Sequence, residues 1–145
     1  MATISVKEYN ENFKPKSKKK KGEESLHAQI CRYIDVKYSD VIYTSDSSGV
    51  KLNMGQAVKL AKTRCKKYKI PDLIILKPCG GFAGLIIEIK ISEDEVYTKK
   101  GQMRESEHIQ KQWQSLQKLA NDGYMAVFGC GYDNCVKIID NYFKL

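Results

Sequence analysis

Gly84-Leu85-Ile86-Ile87-Glu88-Ile89-Lys90-Ile91-Ser92 is the segment that decides how the chain folds. Its odd-numbered positions are all leucine or isoleucine, whereas its even-numbered positions include Glu88 and Lys90. Because strand side chains alternate between faces, Glu88 and Lys90 project from the same face. A strand this apolar is expected at the centre of a sheet, where a carboxylate is costly unless it is paired or bound to metal. The two charges therefore mark a candidate functional site.

A second carboxylate precedes the neighbouring apolar segment. Asp72 follows Pro71 and stands immediately before a continuous apolar run over residues 73–77, and turn-forming residues 78–81 lead from that run towards Glu88. This pattern predicts two strands paired as a hairpin. Such a hairpin would bring Asp72 and Glu88 to the same end of the sheet.

Two carboxylates beside an ammonium suit the hydrolysis of phosphodiesters. Mg²⁺ prefers oxygen ligands and usually takes only one or two protein carboxylates, together with water and phosphate. Lys90 could orient the attacking hydroxide or stabilise the developing negative charge. The structural alternative is a Glu88–Lys90 ion pair on a partly wet strand, with Asp72 as an ordinary turn residue. The presence of all three residues in two adjoining apolar strands favours the catalytic interpretation.

The remaining pattern predicts one α/β domain over residues 23–145, since 145 residues suffice for a single buried core. Helical periodicity over residues 23–38, 53–61 and 106–122 predicts three helices, and residues 41–45 and 124–128 are predicted strands. A last helix is expected to begin at a cap formed by Asp133 or Asn134.

Side-chain burial in the predicted helices follows from the same periodicity. In the third helix, spacing predicts a buried stripe of Ile109, Trp113, Leu116 and Leu119. His27 and His108 have no serine or cysteine nucleophile beside them, and they are interpreted as surface or partly buried residues. Sixteen basic and seven acidic side chains fall in residues 1–70, against nine and ten in residues 71–145.

This basic excess indicates a polyanionic partner, and nucleic acid is favoured over a merely solubilising imbalance. Residues 1–22 are predicted to form a flexible basic arm. The basic cluster over residues 59–69, which ends three residues before Asp72, is the expected DNA-contacting surface. The predicted DNA-binding residues are those of the cluster and one earlier lysine: Lys51, Lys59, Lys62, Arg64, Lys66, Lys67 and Lys69.

Several functional classes are disfavoured. The five cysteines include no C-x-x-C pair and no secretory signal precedes them, so reduced thiols in a cytoplasmic setting are expected. No apolar run approaches the roughly 20 residues that span a bilayer. Gly129-Cys130-Gly131 is too weak a pattern to predict a nucleotide cofactor.

Pro71-Asp72 followed by Glu88-Ile89-Lys90 resembles the PD-(D/E)XK nuclease signature. With Gln112 and the segment Gly123-Tyr124-Met125-Ala126-Val127, the pattern resembles the virus-type replication-repair nuclease (VRR-NUC) family, especially small standalone phage members. The resemblance covers about residues 23–143. It implies a restriction-endonuclease-like α/β fold, with a central mixed sheet flanked by helices.

The resemblance also implies a site. Asp72, Glu88 and the Ile89 carbonyl match the metal ligands of the family, and Lys90 matches its catalytic lysine. The acidic residue of the first helix, implied as a catalytic and metal-supporting group, falls on Glu24, with Glu23 as the alternative. The helical glutamine falls on Gln112, with Gln110 as the competitor. Lys69 is a departure, because similar members often have glycine there.

The activity implied is Mg²⁺-dependent cleavage of DNA, with Mn²⁺ able to substitute, by a homodimer in the cytoplasm of a bacterial or phage-infected cell. Branched DNA such as a four-way junction is the expected substrate, since two symmetric sites suit two symmetric strands. The alternatives are a nuclease acting on flaps, ends or restriction sites, and a nuclease-like module that binds DNA without cutting it.

Overall fold

Four strands form one sheet, with the spatial order β1-β2-β3-β4. The computed structural model describes residues 23–45 and 52–145. The strands are β1 (Tyr43–Ser45), β2 (Leu73–Ile75), β3 (Leu85–Lys90) and β4 (Met125–Cys130). β2 pairs antiparallel with β1 and with β3, whereas β3 and β4 are parallel. The predicted hairpin of β2 and β3 is therefore present, and the sheet is mixed.

The helices are α1 (Glu23–Lys37), α2 (Met54–Lys62), α3 (Glu107–Asn121) and α4 (Tyr132–Tyr142), and a short 3-10 helix covers Glu93–Glu95. The expected α/β fold is confirmed. The predicted basic arm over residues 1–22 lies outside the described residues, as do residues 46–51. No helix in the described part of the chain is long and apolar enough to cross a membrane.

The apolar face of β3 forms the main core. Leu85, Ile87 and Ile89 are fully buried and pack with residues of α1 and α4 such as Ile30 and Ile139. Gly129 of β4, the partner of Ile89, allows α4 to approach closely: an added Cβ there would lie 2.5 Å from the Cys135 sulfur. Two helices thus cover one face of the sheet because its odd-numbered β3 positions are uniformly apolar.

α3 covers the opposite face, which carries the charged side chains of β3. Its buried residues are Ile109, Gln112, Ser115 and Leu116. Trp113, predicted in the buried stripe, is only half-buried, and it stacks on Phe128 with ring centroids 6.3 Å apart. Leu119 is also half-buried. The stripe is rotated relative to the prediction because the buried surface that α3 meets is partly polar.

The start of α4 corrects another expectation. The helix begins at Tyr132 with Gly131 as its N-cap, rather than at a cap formed by Asp133 or Asn134. Gly131 has φ 82°, a left-handed conformation that glycine adopts without strain and that turns the chain directly from β4 into the helix. The Asn134 side chain instead accepts a hydrogen bond from the Cys130 backbone N–H at 2.8 Å.

A polar cluster joins α4 to α1 beside the core. The Asp140 carboxylate accepts hydrogen bonds from the Tyr33 hydroxyl at 2.7 Å, the Tyr38 hydroxyl at 2.6 Å and the Lys37 ammonium at 2.9 Å. Burial raises the pKa of Asp140, but the hydrogen bonds from Tyr38, Lys37 and Tyr33 outweigh it and hold the pKa below its ordinary value. The ionised carboxylate therefore stabilises the fold.

Replacement of this carboxylate tests the cluster. Asp140→Asn is expected to lower the free energy of unfolding at neutral pH by about 1–3 kcal/mol, because charge-assisted hydrogen bonds are lost. Since the pKa of Asp140 is lowered, its contribution is present above about pH 3.9 and is lost as the pH falls through the lowered value. Urea unfolding across this range should show the native and variant curves converging in acid. Asp94→Asn, at an exposed aspartate, is the control, and equal stabilities at neutral pH would contradict the assignment.

Candidate active site

The end of β3 brings three of the predicted site residues together. Asp72 precedes β2, whose first residue Leu73 pairs with Ile87, so Asp72 lies beside Glu88 at the next position. Asp72, Glu88 and Lys90 are 4%, 5% and 4% exposed, respectively. Three ionisable side chains are therefore nearly buried within a short stretch of sheet.

Asp72 is held by the backbone of β3. Its Oδ2 accepts a hydrogen bond from the Ile89 N–H at 2.8 Å. β2 begins only at Leu73. The Ile89 N–H, which would bond to the backbone of a longer β2, therefore donates to the Asp72 carboxylate. His27, on α1, places its Nε2 3.9 Å from the same oxygen.

The Ile89 carbonyl faces the Asp72 side of β3. Successive backbone carbonyls in a strand point to opposite sides, and the Lys90 carbonyl accepts the Gly131 N–H on the β4 side. The Ile89 carbonyl must then point the other way, as the Ile89 N–H does when it donates to Asp72. Asp72, Glu88 and this carbonyl therefore supply oxygen donors at one end of the sheet.

Gln112 holds Glu88 in place from α3. The Gln112 Nε2 donates a short hydrogen bond to Glu88 Oε1, and Gln112 is only 5% exposed. The Gln112 Oε1 atom is buried without a hydrogen-bond partner in the described part of the chain. Gln110, the competing candidate, instead donates to the Arg104 carbonyl at 2.9 Å. The structure thus brings Gln112, and not Gln110, to the carboxylates.

Lys90 is a nearly buried cation at the same site. Its side chain has no ion pair or hydrogen bond with any side chain that the structure describes. Because a buried charge is costly when it is unpaired, this ammonium is suited to receive an anion. A backbone phosphate of a nucleic acid is one anion of the right kind.

A cleft of about 480 Å³ opens beside Asp72, Glu88 and Gln112, whereas Lys90 does not line it. Asp72, Glu88 and Gln112 line it together with the predicted DNA-binding residues Arg64, Lys66, Lys67 and Lys69 and with Lys111. Two other predicted residues of this group, Lys59 and Lys62, are exposed on α2 and do not line the cleft. Lys51 lies outside the described residues.

Two histidines lie at the site, of which His108 is exposed as predicted and His27 is more buried than predicted. His27 is 8% exposed, rather than at the surface or partly buried, and the spacing of residues 27, 30 and 34 was the signal that α1 would turn it inward. His108 is exposed at the start of α3 but lines the cleft, where its Nδ1 lies 2.9 Å from the Lys69 Nζ. No local pattern in the sequence links His108 to Lys69.

The environment of His108 keeps its imidazole neutral. Desolvation is the largest effect that lowers its pKa, followed by the positive charges of Lys69 and Lys90, and these outweigh the opposing effects of Asp72 and Glu95. A neutral imidazole leaves Nδ1 able to accept a hydrogen bond from the ammonium. The Lys69–His108 contact is therefore a hydrogen bond from an ammonium to an imidazole.

The donor set fits a hard divalent cation. Among the described residues, no three histidine, cysteine, aspartate or glutamate side chains form a cluster able to hold a metal ion. The chain offers instead two carboxylates and a backbone carbonyl, which suits Mg²⁺ because this ion keeps several waters and needs few protein ligands. Glu23 and Glu24 open α1, but their side chains lie outside the described residues.

A solved structure described as a VRR_NUC domain protein has a similar fold, with a TM-score of 0.59 and 23% sequence identity. The similarity covers 88% of this chain and 92% of that chain. At this level of identity the likeness shows the fold, which is the one that the sequence resemblance implied. No protein-family model and no curated protein matches the chain.

Substitution of Asp72 separates metal binding from folding. Asp72→Asn keeps an acceptor for the Ile89 N–H and removes a charge beside Glu88, so without metal this variant should be at least as stable as the native protein. Asp72→Ala leaves the N–H without an acceptor and should cost about 1–3 kcal/mol. Mn²⁺ at about 100 times its Kd should stabilise the native protein by about 2.7 kcal/mol.

Thermal unfolding in EDTA and in Mn²⁺ measures both effects. The metal should stabilise the native protein and the control Asp94→Asn equally. It should not stabilise Asp72→Asn or Asp72→Ala. Equal stabilisation of Asp72→Asn and native protein by Mn²⁺ would exclude Asp72 as a ligand.

Proposed function

We propose that the chain is a divalent-metal-dependent deoxyribonuclease, which uses Mg²⁺ or Mn²⁺ to hydrolyse phosphodiester bonds within DNA. The observation that carries this proposal is that Asp72 and Glu88 line a basic cleft. Asp72 accepts a hydrogen bond from the Ile89 N–H, and the buried Lys90 lies two residues beyond Glu88 on the same strand. Each group is of the type that phosphodiester hydrolysis requires.

Asp72, Glu88 and the Ile89 carbonyl would hold the cation, with Glu24, or Glu23 in its place, as a further predicted supporting carboxylate. When bound, the cation would lower the pKa of its water and offset negative charge on the phosphate. The hydrogen bond from the Ile89 N–H fixes Asp72, and the hydrogen bond from Gln112 fixes Glu88. Both side chains are therefore already ordered before the substrate binds.

Lys90 supplies positive charge where negative charge develops. Its low exposure strengthens its interaction with a phosphoryl oxygen or an attacking hydroxide, because little water remains to screen it. Glu88 lies two residues away on the same face, so the strand sets the spacing between the carboxylate and the ammonium. Lys90 would thus act on the reacting phosphate, while the carboxylates act through the cation.

The wall of the cleft would bind the DNA backbone. The segment from Arg64 to Lys69 contains four basic residues and no acidic one, and it ends three residues before Asp72. Phosphate contacts on this wall would compensate for the repulsion between DNA and the two carboxylates. Lys59 and Lys62 on α2 would extend these contacts beyond the cleft, and Lys51 remains a predicted contact.

We extend the proposal to branched DNA and a homodimer. Cutting a symmetric four-way junction requires two incisions, which a twofold-symmetric pair of sites can make. What supports this extension is the sequence resemblance to small standalone VRR-NUC members. A nuclease for flaps, ends or restriction sites would use the same residues, and a non-catalytic binding module would need no divalent ion.

Cleavage assays test the reaction class. Labelled four-way junction, flap, single-stranded and linear duplex DNA would be incubated with Mg²⁺, Mn²⁺ or EDTA. Metal-dependent cleavage is expected, and Lys90→Ala should reduce its rate by about 10²–10³-fold because the ammonium stabilises the transition state. Lys99→Ala, at an exposed lysine away from the cleft, is the matched control. Binding of junctions without cutting would favour the binding module and remove the catalytic roles.

The two candidate glutamines form a second matched pair. Gln112→Ala removes the donor to Glu88 and should slow cleavage by about tenfold or more, as expected for a lost hydrogen bond to a charged group. Gln110→Ala should leave the rate unchanged, since the Gln110 side chain donates to the Arg104 carbonyl and not to a carboxylate of the site. Equal losses in both variants would indicate a general effect on α3 rather than a role at the carboxylates.

Oligomeric state decides the last part of the proposal. Light scattering at the protein concentration of the junction assay should show a dimer. A strictly monomeric protein with full activity on four-way junctions would exclude dimeric action, and it would leave the metal site and Lys90 unaffected.

A further inference from the structure

We propose that Lys69 and His108 form a phosphate-binding subsite at the mouth of the cleft, in which the imidazole orients the ammonium towards the DNA backbone. This inference rests on the proposed function, since it takes DNA as the ligand. His108 is a positioning residue here: it acts through Lys69, and it is not needed for the chemistry at Glu88.

Both members of the pair are close in sequence to the carboxylates. Lys69 precedes Asp72 by three residues, and His108 precedes Gln112 by four residues on α3. Residues four apart lie on the same face of a helix, and Gln112 donates to Glu88 from that face. The Lys69 Nζ to His108 Nδ1 bond of 2.9 Å therefore lies on the same face of α3 as the Gln112–Glu88 bond, and all four residues line the cleft.

The hydrogen-bond partner of Lys69, His108, does not neutralise the positive charge of the lysine. Lys111, on the same cleft, is paired with the Glu107 carboxylate at 2.6 Å, which offsets its positive charge. Lys69 has instead a neutral imidazole, and no ion pair with a carboxylate is present for it in the described residues. An ammonium has three N–H donors, so one bond to Nδ1 fixes its position and two donors remain for phosphate oxygens.

The lowered pKa of His108 supports this arrangement. Because its imidazole is neutral at neutral pH, His108 adds no charge of its own to the subsite. Lys69 should then supply all of the electrostatic attraction that the pair exerts on DNA. His108 should contribute only by orienting the Lys69 ammonium. This division of roles predicts different signatures for the two residues in the salt dependence of DNA binding.

The experiment measures binding of the full chain to a labelled linear duplex in EDTA, over a series of KCl concentrations. Lys69→Ala should weaken binding by about tenfold and reduce the slope of log K against log[salt] by about 0.9, the value for one phosphate contact. His108→Ala should weaken binding by about threefold with the slope unchanged, and His108→Asn should restore it, because the amide oxygen can accept from Lys69.

The double variant measures the coupling. In the Lys69→Ala background, His108→Ala should have no further effect, since nothing is left to orient. Lys67→Ala is the matched control: it should reduce the slope similarly, but its effect and that of His108→Ala should add. Additive effects of Lys69→Ala and His108→Ala, or a lower slope in His108→Ala alone, would overturn the inference.

The outcomes separate this inference from the proposed function. If the native chain neither binds nor cuts DNA, both fail. If it binds and cuts DNA but the two substitutions are additive, only the subsite fails. If the coupling is found while Lys90→Ala still cuts at the native rate, the subsite stands and the catalytic role of Lys90 is wrong.

Discussion

A central strand that is buried on both faces and nevertheless carries a carboxylate and an ammonium is the constraint around which the molecule is organised. All six residues of β3 are buried. The apolar face is satisfied by α1 and α4, which supply most of the hydrophobic core. The other face cannot be satisfied in that way, because the transfer of an unpaired charge from water to an apolar interior is strongly unfavourable. α3 therefore meets that face with Gln112, whose amide donates to Glu88.

The charges of the site are separated by sign. The floor of the cleft holds Asp72 and Glu88, while all charged residues of the wall from Arg64 to Lys69 are basic. Elsewhere on the surface opposite charges pair locally, as in the Lys118–Asp122 pair on α3 at 2.6 Å. Separation of this kind is consistent with carboxylates that would hold a cation and lysines that would contact phosphates. This arrangement of charges suits a site that binds a divalent ion and a polyanion side by side.

The sequence predicts the features that depend on periodicity. Alternation along β3 placed Glu88 and Lys90 on one face, and the turn after β2 indicated the hairpin that brings Asp72 beside Glu88. Features that depend on distant segments were not predictable in this way. The His27–Asp72 and Lys69–His108 contacts join residues that are 45 and 39 positions apart, and no local pattern encodes them. The start of α4 was missed because the cap depends on the backbone conformation of Gly131 and not on a polar side chain.

The register of the β2–β3 pair is what makes the site possible. Leu73 pairs with Ile87, so the ladder stops one residue short of Asp72, and the aspartate side chain takes the Ile89 N–H in its place. A longer β2 would pair that N–H with backbone and would cover the Ile89 carbonyl. A shift of one residue in β3 would turn Glu88 and Lys90 into the apolar core and expose Ile87 and Ile89 to the cleft. Burial of the apolar face therefore fixes the register, and the register in turn fixes the positions of the oxygen donors and of Lys90.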